Sequence, residues 1–410
     1  MSSEQGGEDN SAGTEIYRPE LSPSTVTQLT LDLYGLHVLS CRELDSYDDR
    51  NFHVTVDTSL VKNEHITQVW PHGYVFKVLN SLDSRKPEVT EAKNAMMVHA
   101  VERGFPTPRP VPSLSGQLSC LQPLAREHDD QHNVNADCQN QTDKDVYLVR
   151  LMEYLPGTTL ASVPLTPQLS FQVGHYAAKL DLALKDFDDS NCPELIVNWN
   201  MQNVPSLRHL LRFISDAEKA SVVRQVIEDF EKKVLKCESG LQKAIIHSDF
   251  NVHNILVGPE GNTNTSSSPT LSSTSSSSSN MCVCGILDFG DATKSFLLIE
   301  VAIAMTYMTL LCPADLDPDE MSGQALAGYL SEMKLSREEV DLIPLTMCAR
   351  FCNTLTFGFH RLVLDPGNDY CMVDANKVWP HLQRLWSRSA ADTVTLWKRV
   401  ADQLGVAFPS

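Results

Sequence analysis

Basic residues are scarce in this 410-residue sequence: 33 lysines and arginines stand against 52 aspartates and glutamates, a formal net charge of −19. Such acidity excludes general attraction to DNA, RNA or an anionic membrane, so any polyanion must be held locally by a few placed groups. A basic, apolar leader is also missing, because the chain opens on the polar and acidic MSSEQGGEDNSAGTE. Together with 11 scattered cysteines, an odd number that cannot all pair internally, this points to a cytoplasmic chain with reduced thiols. Cys282 and Cys284 form C-x-C, yet no second cysteine or histidine pair stands at zinc-site spacing, so they read as buried thiols. Long apolar runs are lacking too. The longest, Phe296 to Cys312, is broken by Glu300 and carries two threonines, which makes it a buried helix and not a membrane span.

With 42% hydrophobic and 21% charged residues, what is present describes a soluble globular chain long enough for two domain-sized cores. Residues 1–20 read as a disordered acidic tail. Leu36 to Leu44, Phe52 to Val56 and Val69 to Leu79 are β-rich runs separated by polar turns, an antiparallel meander, and Val89 to Arg103 supplies a helix stopped by Gly104 and Pro106. The polar stretch Arg126 to Lys144 reads as an insertion, and Val146 to Tyr154 as a strand ending at the Leu155-Pro156-Gly157 turn. That turn separates a small lobe, 21–155, from a larger helical lobe, 156–410, and the fold class is α+β. Helices are expected at Pro167 to Lys185, Pro205 to Ile214, Lys219 to Gly240, Phe296 to Leu311, Gly323 to Met333, Arg337 to Val363 and Asn376 to Leu404. One short β element interrupts them, Ala244 to His247 with Ile255 to Val257 and Cys282 to Leu287. Its tip carries a Ser-rich insertion at 259–280 with ten serines and no apolar periodicity.

The segment Ile245-Ile246-His247-Ser248-Asp249-Phe250-Asn251-Val252-His253-Asn254-Ile255-Leu256-Val257 frames a polar loop between two apolar runs, a placement that projects carboxylate and amide groups into a cleft. Asp249 and Asn254 stand five positions apart, and Ile286-Leu287-Asp288-Phe289-Gly290-Asp291 presents another carboxylate directly after an apolar run. Phosphoryl transfer needs this set, because its transition state carries diffuse negative charge and leaves the protein with positioning and electrostatic work. Asp249 suits the attacking hydroxyl, while Asn254 and Asp288 offer hard oxygens to Mg²⁺. Upstream, Lys77 in Val75-Phe76-Lys77-Val78 sits in a strand from which a lysine reaches phosphates, and Glu91 opens the following helix where it is placed to hold that lysine.

At these residues the chain resembles the aminoglycoside phosphotransferase-like branch of the protein kinase-like fold, through H-x-D-x-x-x-x-N followed by D-F-G. Ser46-Tyr47-Asp48-Asp49-Arg50-Asn51-Phe52, Gly104-Phe105-Pro106-Thr107 and Glu300-Val301-Ala302-Ile303-Ala304 are similar to the hydroxylysine kinase group within that branch. The resemblance implies two lobes with the active site between them, an N-terminal antiparallel sheet and a helical C-terminal part. It also implies transfer of the γ-phosphoryl group of GTP or ATP, with Mg²⁺, to the side-chain hydroxyl of 5-hydroxylysine, in lysine-related catabolism. By the same match Asp249 is the catalytic base, Asn254 and Asp288 the Mg²⁺ ligands, Lys77 the phosphate contact and Glu91 its partner. Leu151, Met152 and Glu153 match the hinge whose backbone binds the nucleotide base. Ser248 replaces the usual glycine and asks for ordinary backbone angles. The loop Asp45 to Asn51 has no glycine to cradle phosphates, so its acidic side chains must point away or meet Mg²⁺.

Bland readings compete with these. His247 suits a structural role, hydrogen-bonding the loop backbone. Lys77 alone is an ordinary strand lysine, and Glu91 alone is favoured by the helix dipole without any partner. Asp291, Glu300 and Arg350 are the substrate-site candidates, since an amino-acid substrate needs a cation for its carboxylate and anions for its ammonium groups. Trp379, Trp386 and Trp397 suit packing. Two other functions fit the same residues: a kinase for another amino alcohol or hydroxy amino acid such as choline, ethanolamine or homoserine, and a nucleotide-binding protein without catalysis. A protein kinase fits least, for want of a Gly-rich loop and of A-P-E after D-F-G.

Overall fold

The computed structural model describes residues 17–46, 49–126, 144–188, 199–237, 240–259, 281–364 and 369–410. Apart from Pro259, the Ser-rich insertion lies outside them, as do residues 1–16 of the expected tail and the interior of the Arg126 to Lys144 stretch. Two compact units form, one from Met1–Val98 and Pro108–Pro156, the other from His99–Thr107 and Gly157–Ser410. The short excursion belongs with the second unit for visible reasons: Pro106 O accepts hydrogen bonds from Ile286 N–H (3.2 Å) and the Tyr176 hydroxyl (3.2 Å), and the Phe105 ring packs at a tilt against Tyr176.

In the first unit an antiparallel sheet runs in the order β1 (Leu36–Leu44), β2 (Arg50–Val61), β3 (Tyr74–Val78), β6 (Lys144–Glu153), β4 (Pro110–Val111), with β5 (Cys120–Ala125) also pairing β6. Period-2 alternation sends Phe52, Val54, Phe76, Val78, Val149 and Leu151 into one core. Helix α1 (Pro23–Tyr34) covers them, with Tyr34 edge-on to Phe76. The sequence reading contains no such helix, because its threonines favour strands; its ends decide otherwise. Ser22 caps the N-terminus by accepting from Thr25 N–H, Pro23 occupies the first turn, and Gly35 closes the helix at φ +64°, donating to Leu31 O. Residues 17–20, placed in the expected tail, are tied down: Tyr17 O accepts from Ser81 N–H (3.0 Å) and Pro19 O from Arg50 (3.3 Å). Helix α2 (Pro87–Glu102) begins in this unit, and its Asn94 accepts from Arg150 Nη1 (3.2 Å).

Helices dominate the second unit: α3 (Pro167–Leu184), α4 (Ala217–Phe230), α5 (Leu297–Leu310), α6 (Pro318–Leu330), α7 (Arg337–Leu364), α8 (Asp369–Ser387) and α9 (Ala390–Gln403). The continuous helix expected from Asn376 to Leu404 is two helices, because Ser389 leaves the helical conformation and caps α9 by accepting from Asp392 N–H. Apolar all round, α5 is buried from Leu297 to Thr306, and no described helix is long and apolar enough to cross a membrane. The expected β element also resolves differently. β8 (Lys243–Ile246) pairs with β11 (Thr293–Phe296), while β9 (Ile255–Pro259) pairs with β10 (Met281–Ile286) and with β7 (Thr158–Thr159). The polar loop after β8 therefore links two separate ladders instead of closing a hairpin.

Helices α3 and α6 cross at two glycines. A Cβ at Gly174 would overlap Ala325 O and one at Gly328 would overlap Phe171 O, both rigid backbone atoms. Gly174→Ala and Gly328→Ala are each expected to destabilise the protein by about 3 kcal/mol, the upper part of the overpacking range, since helices and not side chains must move apart. Guanidinium unfolding midpoints check this; a shift no larger than that of an exposed Gly→Ala would mean the crossing is looser than described.

Candidate active site

The loop after β8 is built around Asp249. Its Oδ1 accepts from Arg350 Nη2 (2.9 Å), and its Oδ2 accepts from Asn251 Nδ2 (2.7 Å) and Asn254 Nδ2 (2.8 Å). Four-fifths of the Asp249 side chain is covered, with 19% exposed. Asn254 also donates to Asp249 O (3.1 Å), so its amide nitrogen is committed and its carbonyl oxygen is left as a neutral acceptor. His247 joins this loop to the next. Its Nδ1 accepts from Asp249 N–H (3.3 Å), which makes Nε2 the donor to Leu287 O (2.9 Å), and burial holds the imidazole below its usual range and neutral. Asp288 follows at φ +54°, with Oδ1 accepting from Gly290 N–H (2.9 Å). A side chain at position 290 would place its Cβ 2.8 Å from that oxygen, which accounts for the glycine of D-F-G.

Behind the loop stands Glu300. Its carboxylate accepts from the backbone N–H groups of His247 (3.0 Å) and Ser248 (2.7 Å), and burial pushes its pKa up to about 8 against those two hydrogen bonds. Glu300, read as a substrate-site candidate, is wholly buried and holds the loop from inside. Ser248, expected at ordinary angles, has φ +66°. That left-handed residue turns two successive N–H groups onto one carboxylate, at a cost of about 1 kcal/mol for a side chain. Asp181, also fully buried, accepts from the Tyr329 hydroxyl (2.6 Å), and burial and then the charge of Glu300 raise its carboxyl well above the ordinary range.

Arg350, from α7, lies among aromatic groups. Besides Asp249, its guanidinium donates to the Tyr307 hydroxyl (3.0 Å) and to Trp199 O (3.3 Å), and it sits 5.5 Å from both ring centroids. Asp291, one short turn after Asp288, bears electrostatically on both Tyr307 and Arg350. Of the three residues read as substrate contacts, the structure thus gives Glu300 and Arg350 to the loop and leaves Asp291 beside them.

In the first unit, Lys77 Nζ lies 2.9 Å from Asp49 Oδ2. The other oxygen of Asp49 accepts from Asn80 N–H (2.9 Å) and Nδ2 (3.1 Å). Asp49 thus does not point away from the site residues but pairs with Lys77. Glu91, expected beside Lys77, instead accepts from the Ser119 hydroxyl. The strand read as the hinge is engaged as well: Leu151 and Met152 pair with Phe76 and Val75 on one edge and with Val111 and Pro110 on the other, and Glu153 N–H donates to Arg109 O (2.9 Å). The Glu153 carboxyl is pushed up to about 7 by burial, with Arg109 opposing.

Among the described residues no three His, Cys, Asp or Glu side chains converge to hold a metal unaided. One carboxylate and one amide oxygen, Asp288 and Asn254, fit a hard cation that takes its remaining ligands from phosphate and water.

Comparison with known proteins decides what this arrangement belongs to. The sequence profile of the Phosphotransferase enzyme family matches residues 40–265, more than half of the chain. The chain belongs to that family. Its reaction is transfer of a phosphoryl group from a nucleotide to a hydroxyl of a small molecule. Among similar curated proteins, hydroxylysine kinase of Danio rerio is 31% identical over 95% of this chain and 98% of its own, and hydroxylysine kinase of Xenopus laevis 33% identical over 94% and 95%. Among solved structures, the amicoumacin kinase hAmiN superposes with a TM-score of 0.60 at 14% identity, over 89% of this chain and 94% of its own. That likeness establishes the two-lobed kinase-like α+β fold. Sequence reading missed the roles of Asn251, Tyr307 and Trp199 around Asp249 and Arg350, and of Asp49 beside Lys77. Only Asn251 and Asp49 carried a signal, as polar residues inside the motifs already read.

Proposed function

We propose that this phosphotransferase acts on the side-chain hydroxyl of 5-hydroxylysine, with GTP as donor and Mg²⁺ as cofactor, in the cytoplasmic breakdown of lysine-related amino acids. The observation that carries the reading is similarity to hydroxylysine kinases across nearly the whole of both chains, combined with an undamaged Asp249, Asn254 and Asp288. A cytoplasmic setting fits the described cysteines, which are free thiols.

In this reading Asp249 orients the substrate hydroxyl and accepts its proton as the oxygen attacks phosphorus. Two amides and a guanidinium fix its carboxylate, so the acceptor oxygen meets a preset geometry and little reorganisation is left for the transition state. Asn254 and Asp288 would hold Mg²⁺, which, when bound, neutralises charge on the phosphates. Lys77 contacts the phosphates, oriented by Asp49 in the part expected of Glu91. Asp291, close enough to Arg350 and Tyr307 to act on their charge, is the carboxylate that receives a substrate ammonium group.

The test is nucleoside diphosphate release by purified protein with Mg²⁺, using ATP and GTP in parallel, across 5-hydroxylysine, lysine, homoserine, choline, ethanolamine and kanamycin. Release is expected with 5-hydroxylysine and not with lysine, faster with GTP. Release with another alcohol alone would overturn the substrate, and faster turnover with ATP would overturn the donor.

A further inference from the structure

We infer that Arg350 is the positioning residue of Asp249 and does not grip the carboxylate of the substrate. The inference rests on the kinase reading of Asp249 given above. A guanidinium can clamp a carboxylate bidentately in two ways, end-on through its two terminal nitrogens or side-on through Nε and one of them. In Arg350 both hydrogens of Nη2 are taken, one by Asp249 Oδ1 (2.9 Å) and one by the Tyr307 hydroxyl (3.0 Å). Nη1 donates to Trp199 O (3.3 Å), and Nε is buried with no partner. End-on approach is therefore closed, and the side-on face has its terminal nitrogen already bonded.

The rest of the environment fits a fixed strut. Arg350 is 1% exposed, and the rings of Trp199 and Tyr307 each stand 5.5 Å from its guanidinium carbon. A group held this way has one set of positions open to it and transfers them to whatever it bonds. What it bonds is a single oxygen of Asp249, leaving Oδ2 to the two asparagines. The three donors come from both sides of the carboxylate and define its plane. A base turned even modestly out of that plane would meet the acceptor hydroxyl at the wrong angle, and misplacement of about 1 Å costs on the order of 100-fold in rate. The charge balances as well, since a buried arginine needs an anionic partner and Asp249 supplies it.

Arg350→Met, Arg350→Lys and Tyr307→Phe separate positioning from substrate binding. Each is assayed with 5-hydroxylysine, with its decarboxylated analogue, which keeps both amines and the hydroxyl, and with no acceptor, where water slowly takes the phosphoryl group. For Arg350→Met we expect kcat to fall about 100-fold with both alcohols and acceptor-free nucleotide hydrolysis to fall in parallel, while KM for 5-hydroxylysine stays within about threefold. Lysine at 350 keeps the charge without the fork and restores part of the rate; Tyr307→Phe, which leaves the ion pair in place, gives a smaller loss of the same kind.

A rise in KM confined to 5-hydroxylysine, with the decarboxylated analogue and acceptor-free hydrolysis unchanged, would overturn the inference and make Arg350 the carboxylate clamp. If wild-type protein ignores 5-hydroxylysine, the substrate reading fails, but the acceptor-free rate still decides the role of Arg350. Thermal unfolding of each variant, with Tyr307→Phe as the conservative case, shows whether a lost rate is merely a lost fold.

Discussion

Asp249→Asn is expected to lower kcat by about two to four orders of magnitude, the range lost with a positioned general base, while nucleotide binding persists. The change is nearly isosteric, yet hydrogen-bond polarity makes it severe. Asp249 receives only donors: Arg350 at one oxygen, Asn251 and Asn254 at the other. An amide must present its own NH₂ to one of these sets, so one oxygen's worth of donors loses its acceptor whichever way the side chain turns. A stability loss of about 1–3 kcal/mol should accompany the lost rate, from donors left facing a donor. Single-turnover kinetics at saturating nucleotide, with a thermal unfolding curve on the same protein, separate the two. Unchanged turnover would remove Asp249 from the chemistry altogether.

How much of this was legible in sequence follows from what kind of constraint each residue obeys. Asp249, Asn254 and Asp288 stood out because their spacing between apolar runs is itself the chemical requirement, and the structure brings the first two into direct contact. The sheet of the first unit was equally readable from period-2 alternation, since each strand buries one face. Residues whose roles depend on long-range partners were not. Arg350 looks like a substrate clamp until α7 is seen to deliver it to a loop 101 positions upstream. Lys77 calls for an acidic partner, and composition offers Glu91 on the next helix, whereas the pairing found runs to Asp49, between β1 and β2. The pairing of the strand read as the hinge was hidden for a local reason, because the two-residue strand Pro110–Val111 that covers the second edge of β6 has too little sequence to announce itself. Ser248 shows a further limit: its left-handed angle serves a carboxylate 52 positions away, which its own neighbourhood does not announce.

That same carboxylate is the second position where a single change should matter greatly. Glu300→Ala removes the acceptor of two buried N–H groups at once, at about 1–3 kcal/mol each, and also releases a restraint on the left-handed angle at Ser248. The loop then relaxes toward ordinary backbone angles, swinging Asp249, one residue further on, away from Arg350, so kcat is expected to fall together with stability. Glu300→Gln keeps one acceptor oxygen and should lose about half of that stability. The pH dependence has a definite sign. Burial raises the Glu300 carboxyl from 4.5 to about 8, so the folded protein holds a proton there that the unfolded chain has released. Stability from this group is complete below about pH 4.5 and is lost as pH rises through about 8. Asp181, raised in the same direction by burial and by Glu300, adds to the slope. The slope of urea unfolding midpoints against pH should therefore be more negative in the wild type than in Glu300→Gln and least negative in the Asp181→Asn, Glu300→Gln double variant, because His247, held neutral by burial, slopes the other way equally in all three. Equal slopes in the wild type and Glu300→Gln would mean that Glu300 folds as a fully ionised carboxylate, with its two backbone hydrogen bonds outweighing the cost of burial.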